Sequence, residues 1–217
     1  MLALQNLLMA TKHRRAITFG TGATNFNVQT TTNTAMTLNV NVGDCVVIFS
    51  VNSPSGQGVT DNGAGGGNTY THADYCDIGG DGLSCYVCLS ATVSATAVSS
   101  AHTYIQLGMT LLNVQSVGAT TQSGYVAINN PSIATPSLTT EGTNSLVVGA
   151  VMSVNNNLVY SANIGTIVEQ GVNVGFAGAM LTFQARPTGN VVALEVGASP
   201  TSPEGGWVQV ELIPKNT

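Results

Sequence analysis

Charge is what this sequence has least of. Lys and Arg number 5 and Asp and Glu 10 among 217 residues, so charged residues make up 7%, against about 25% in an average globular protein. That scarcity excludes a disordered acidic or basic tail protein, which combines low hydrophobicity with high net charge. It also excludes long solvent-facing helices, whose wet faces are built from Glu, Lys and Arg. Aromatic residues are only 6%, with a single Trp, so the exposed rings of a carbohydrate-binding face are scarce. No apolar run approaches the roughly 18 residues that span a bilayer, and no membrane segment is expected. G-x-S-x-G, H-E-x-x-H and P-loop patterns are missing. The glycine-rich stretch 63–67 has neither the Lys nor the helix that a phosphate cradle requires. The chain reads as a non-enzymatic protein with no cofactor.

What fills the polar positions is Thr, Asn, Ser and Gly, which are strand-face and turn residues. Hydrophobic residues are 43% and Gly 25 in number. Strand signals recur over Ala16–Phe19, Ala35–Val40, Cys45–Asn52, Asn68–Tyr75, Leu83–Ser90, Thr103–Val117, Gly124–Ile128, Leu146–Val154, Gly165–Gln170, Gly175–Gln184, Val191–Val196 and Trp207–Ile213, separated by turn residues. Met36–Val42 and Trp207–Leu212 alternate apolar and polar, which describes strands with one buried and one wet face. Cys45-Val46-Val47-Ile48-Phe49 is apolar on both faces and reads as a central, doubly covered strand. The fold class is therefore all-β: an antiparallel, jelly-roll-like β-sandwich over residues 16–217, with a closed barrel as the alternative. The stretch 129–136 is the best candidate linker, and it reads as a crossing between sheets.

The first fifteen residues differ from the rest. Lys12, Arg14 and Arg15 are three of the five basic residues, and no Lys or Arg follows until Arg186. After residue 15 there are two basic and ten acidic residues, a formal charge of −8 on the body. An acidic body disfavours nucleic acid as a partner. Leu4, Leu7, Leu8 and Thr11 fall at i, i+3, i+4 and i+7, so a short amphipathic helix is expected. A helix this short needs a surface to pack on. The charges follow the apolar run, the reverse of a secretory signal peptide. Residues 1–15 are read as a helical anchoring arm that uses Leu4, Leu7, Leu8, Lys12, Arg14 and Arg15, with a solvated basic terminus as the alternative.

Cys45, Cys76, Cys85 and Cys88 admit several readings. A hairpin disulfide between Cys76 and Cys85 is one, and three pairings stand open. Without an export signal, buried thiols are favoured. His72 with Cys76, Cys85 and Cys88 gives H-x3-C-x8-C-x2-C, but positions 85 and 88 of one strand face opposite ways, which disfavours zinc. Asp74, Asp77 and Asp81 are weak candidates for a Ca²⁺ site, against a solvated acidic hairpin tip. Trp207 has the opposite parity from Val208. It is either a surface residue at an interface or part of a second buried face.

Val42-Gly43-Asp44-Cys45, then Val59-Thr60-Asp61-Asn62 leading to Gly67-Asn68-Thr69-Tyr70, then Thr139-Thr140-Glu141-Gly142-Thr143-Asn144-Ser145-Leu146-Val147-Val148-Gly149, and finally Trp207-Val208-Gln209-Val210, form a recognisable order. It resembles a β-sandwich module of tailed-bacteriophage structural proteins and of secreted bacterial surface proteins. The glycine expansion at 63–67 and the four cysteines depart from that module. The resemblance implies a virion protein that is a capsid decoration, head-fibre or similar surface subunit, assembled in the host cytoplasm. Its partners would be capsid or other virion proteins, further copies of itself, and a glycan or the host surface. It carries no catalytic residues. Two other functions compete: a secreted adhesin or carbohydrate-binding module, and a subunit of an extracellular filament. Independently of the resemblance, Gly43-Asp44, Asp61-Asn62-Gly63 and Gly67-Asn68 are turn chemistry.

Overall fold

A computed structural model describes residues 15–20, 26–29, 35–52, 58–78, 80–100, 103–124, 136–154, 159–173, 175–185, 188–199 and 205–216. They form eighteen strands: β1 Thr18–Phe19, β2 Phe26–Gln29, β3 Met36–Val40, β4 Cys45–Asn52, β5 Val59–Asp61, β6 Thr71–Asp77, β7 Gly82–Cys88, β8 Ala95–Ser100, β9 Thr103–Leu112, β10 Val114–Ser123, β11 Leu138–Thr139, β12 Leu146–Ser153, β13 Val159–Ile164, β14 Thr166–Asn173, β15 Phe176–Gln184, β16 Val191–Val192, β17 Glu195–Ser199 and β18 Gly205–Pro214. Among the described residues the only helical element is one 3-10 turn at Ala64–Gly66.

Two antiparallel sheets pack face to face, giving a sandwich-like body. The first has the order β1-β9-β4-β7-β6, with β2 also on β9. The second has the order β10-β18-β12-β15-β14. Side chains alternate across a strand. Accordingly Val47 and Phe49 of β4 and Leu107 and Met109 of β9 meet Val148, Ala150 and Met152 of β12 and Val208 and Val210 of β18 in the core between the sheets. The opposite faces are covered as well. Val46, Ile48 and Tyr86 lie under the small sheet β3-β8-β5, against Met36, Leu38 and Val98. Val147, Val151, Leu181 and Trp207 lie under the ribbons β11-β16 and β13-β17, against Tyr160, Val192 and Leu194. The body is thus four layers deep. Strands dry on both faces read as unbroken apolar runs, as Cys45–Phe49 and Leu146–Met152 do.

The all-β expectation holds, and so does the double cover of β4. Alternation in β3 holds too: Met36, Leu38 and Val40 are buried and Thr37 is exposed. The wet face expected for Trp207–Leu212 does not. Gln209 and Glu211 are both 0% exposed, because the ribbons and the loop at 140–142 close over that face. Trp207 is corrected from a surface candidate to a core residue, also 0% exposed. The second buried face is the reading that fits.

The strand expected over Thr103–Val117 is broken at Asn113, whose left-handed φ of 65° ends β9 and starts β10 in the other sheet. A short polar side chain tolerates that conformation better than its apolar neighbours would. Strands β2, β5, β8, β11 and β13 lie outside the strands expected from sequence. The proposed helix, with Leu4, Leu7, Leu8, Lys12 and Arg14, lies outside the described residues. So do residues 125–128 of the strand expected at Gly124–Ile128, and residues 129–135 of the candidate linker.

The buried position of Trp207 is directly testable. Its indole N–H has no hydrogen-bond partner, so the ring contributes through packing alone. Trp207→Ala is expected to cost roughly 3–5 kcal/mol in urea unfolding, and Trp207→Phe clearly less. A loss under about 0.5 kcal/mol for Trp207→Ala is what a surface position would give.

Candidate functional site

The motifs that carried the resemblance fold into three hydrogen-bonded devices. At Asn41–Asp44 the chain turns with Gly43 at φ 93°, the amide of Asp44 donating to the carbonyl of Asn41 at 3.1 Å. Asp44 is buried, and its Oδ2 takes the amide of Asn41 at 2.9 Å. Glycine suits the third turn position because only it enters that region without strain.

The second device centres on Asp61. Its carboxylate accepts the amide of Gly63 at 2.9 Å, the side-chain amide of Asn68 at 2.8 Å and the hydroxyl of Tyr70 at 2.8 Å. Asn68 then ties this loop to the next turn. Its Oδ1 takes the amides of Thr92 at 2.8 Å and Val93 at 3.1 Å, and its Nδ2 also donates to the carbonyl of Val93 at 3.0 Å. Gly67, at φ 80°, lies so close to Asp61 that a Cβ there would collide with the carboxylate. Burial pushes the Asp61 pKa up, but the donors from Asn68, Gly63 and Tyr70 outweigh it and hold the carboxyl below its ordinary value of 3.8. Burial and the neighbouring Asp61 push Tyr70 the other way.

The third device is Glu211 on the buried outer face of β18. Among the described residues no Lys or Arg is a hydrogen-bond donor to it. Its Oε1 accepts the amide of Gly142 at 2.8 Å, and its Oε2 accepts those of Glu141 at 2.9 Å and Ala119 at 3.1 Å. Burial again raises the pKa, and the donors around the carboxylate, the Glu141 amide first, then Ser145, Gly142 and Ala119, bring it below the ordinary 4.5. The loop before β12 is thereby fastened across β18 to β10. Nearby, Gln209 donates to the carbonyl of Pro136 at 2.6 Å and accepts the amide of Leu194 at 3.2 Å. Asp61 and Glu211 direct their carboxylate oxygens to donors within the fold, whereas the buried Oδ1 of Asp44 has no hydrogen-bond partner among the described residues.

The open surface offers a different candidate. A groove of about 880 Å³ runs along β6 and the end of β7 and is closed on its far side by β10. β6 and β10 are edge strands of the two main sheets. The walls combine hydroxyls (Thr71, Ser90, Ser116, Thr120) with the apolar Ala73, Val87, Leu89 and Val117. The ring of His72 lies 5.2 Å from that of Tyr86, tilted by 56°. The lining contains no carboxylate. The groove can hold a partner by shape, apolar contact and neutral hydrogen bonds. A smaller groove of about 430 Å³ lies beside β1, lined by Ile17, Phe19, Leu111 and Phe183 among others.

The residues singled out from sequence are scattered. Arg15 is exposed, and its amide donates to the carbonyl of Lys215 at 3.0 Å. Asp74 accepts the amide of Tyr75 and Asp77 that of Gly80. Positions 74 and 77 lie three apart on β6, on opposite faces. Among the described residues no three His, Cys, Asp or Glu side chains gather as metal ligands. The four cysteines are free and buried. Cys85 packs between the main sheets and Cys88 under the outer sheet, so the His72–Cys76–Cys85–Cys88 set is not brought together. Cys76 stands opposite Leu83, and Cys85 opposite Asp74. Burial pushes the thiols up, Cys76 to about 12, which keeps them protonated and unreactive. The β6–β10 groove has no signature in the sequence because its walls come from three separate segments, within 69–73, 87–92 and 116–120, and carry no distinctive residue type.

Two outcomes follow for the carboxylates. Both folded pKa values lie below the ordinary ones, so their stabilisation is complete above about pH 4.5 and is lost as pH falls through the folded values. Thermal melts from pH 7 to pH 2.5 should show this acid loss, and Asp61→Asn should flatten it. Glu211→Gln should cost roughly 1–3 kcal/mol at pH 7, because an amide NH₂ would then face backbone N–H donors. A neutral Glu211→Gln would contradict the assignment. The chain matches no protein-family model, no curated protein and no solved structure.

Proposed function

We propose that this chain is a structural, non-enzymatic virion protein, a capsid decoration, head-fibre or similar surface subunit of a tailed bacteriophage that acts by assembling onto the particle. Its body would be a jelly-roll-like sandwich and its anchor the arm over residues 1–15. The observation that carries this reading is the segregation of charge. Three of five basic residues precede a body of formal charge −8. Arg15, where the described chain begins, is exposed and is held to the body by a backbone bond to Lys215.

The arm's leucines Leu4, Leu7 and Leu8 would supply apolar burial, and Lys12, Arg14 and Arg15 would select an acidic surface. Four buried, reduced thiols suit a subunit that folds in a reducing cytoplasm before assembly.

The test is particle binding by a chain lacking residues 1–14. The truncated body should keep its melting profile and lose binding to the particle. Retained binding would refute the anchor. Mass spectrometry of purified particles should find this chain at a copy number matching the symmetry of the shell, a fibre or the tail.

A further inference from the structure

The β6–β10 groove lies between two sheet edges that meet at one end, where Gly124 packs against the carbonyl of Asp77, and part towards Thr71 and Ser116. Both edges are irregular where they border it. β6 carries an extra residue between His72 and Asp74, and β10 carries one between Val117 and Thr120. Such bulges break the row of backbone groups that a further strand would pair with, and they turn side chains out of the regular alternation. The groove is therefore poorly made for a peptide added as a strand, which binds through that row.

Its lining selects by chemistry. Six hydroxyl side chains line it, and no Lys, Arg, Asp or Glu does. Glu211, behind Gly118, offers it no acceptor, because its carboxylate oxygens are filled by the amides of Gly142, Glu141 and Ala119. A charged ligand would give up hydration here with no opposite charge to replace it. A neutral ligand does not meet that cost. Each hydroxyl both donates and accepts, and Thr71, Ser90 and Thr120 hold theirs at exposed positions. Among them lie the apolar Leu89 and Val117 and the exposed His72, its ring set against Tyr86. A ligand matched to this surface carries no charge, many hydroxyls on its rim and apolar C–H faces. That is the chemistry of a saccharide. Rings are scarce in this chain, so hydroxyls carry most of the recognition. The volume of about 880 Å³ falls within the roughly 300–1,000 Å³ of small-ligand sites.

We propose that the β6–β10 groove binds an uncharged oligosaccharide, with its C–H faces on Leu89, Val117 and the His72 ring and its hydroxyls on Thr71, Ser90 and Thr120. This function goes beyond the assembly reading and does not depend on it, since neither the arm nor the particle takes part.

The experiment presents full-length chain to an array of neutral oligosaccharides built from glucose, galactose, mannose or N-acetylhexosamines. Sialylated, sulfated and uronate counterparts and an uncharged Thr-Val repeat peptide stand beside them. The expected result is binding to neutral glycans, with the charged counterparts at least about tenfold weaker. The tightest neutral glycan, titrated into ¹⁵N-labelled chain, should move amides within 69–73, 87–92 and 116–120 in NMR spectra. Thr71→Arg with Thr120→Arg, both at exposed positions, should weaken that glycan roughly tenfold with an unchanged melting curve. A neutral set that does not bind, an equal or stronger response to the charged set, or amide shifts confined to other segments would each overturn the proposal. A double variant that binds the glycan as well as the parent would do so too. Capture of the repeat peptide alone would assign the groove to an added strand and overturn the proposal as well.

Discussion

The central strands of both main sheets are covered on both faces, and a charged side chain there needs partners built into the fold. That constraint shapes the rest of the molecule. A buried carboxylate without donors would cost several kcal/mol or give up its charge. Glu211 keeps its charge because three backbone amides converge on it. Those amides belong to two other segments, so satisfying one side chain also fixes the loop before β12 and the bulged part of β10. Asp61 does the same work nearer the surface, tying β5 to the glycine-rich loop and, through Asn68, to the turn at Thr92–Val93. With so few charged residues in the chain, three of the ten acids, Asp44, Asp61 and Glu211, are committed to holding turns and loops in place.

The same constraint explains the composition. A four-layer stack has few helix-like wet faces to dress, so Glu, Lys and Arg have little use in it. Thr, Ser and Asn serve instead at edges and turns, where a short side chain can bond to the backbone. Glycine is needed where backbone must pass close to a carboxylate, as Gly67 does beside Asp61 and Gly118 beside Glu211. Three of the five cations fall in the first fifteen residues, and the body is left with a formal charge of −8.

Much of this was legible in the residues, for identifiable reasons. Double burial was plain at Cys45–Phe49, where no alternation survives. The turns at Gly43-Asp44 and around Asp61 announced themselves by residue type. Alternation in Trp207–Leu212 misled, because a period of two says that the faces differ in polarity and does not say that the polar face is wet. Gln209 and Glu211 are polar and fully buried, so only their partners at Pro136, Leu194, Glu141 and Gly142, far away in sequence, could have revealed it. Strand β8 is built from Ala, Thr, Val and Ser and lacks the large apolar residues that mark a strand. Asn113 was a usable signal that went unread: a lone Asn inside an apolar run marks a backbone reversal. The groove between β6 and β10 exists only through tertiary pairing, and no local pattern encodes it.

Sheets dry on both faces and pinned by the Glu211 carboxylate make a claim about individual amides. Hydrogen exchange followed residue by residue by NMR at neutral pH tests it most directly. The account predicts that the amides of Ala119, Glu141 and Gly142 exchange as slowly as those of the central strands β4 and β12, opening only with global unfolding. Exchange of these three at the rate of exposed loops, with β18 opening ahead of β4, would show the outer face of the second sheet to be wet and would contradict it.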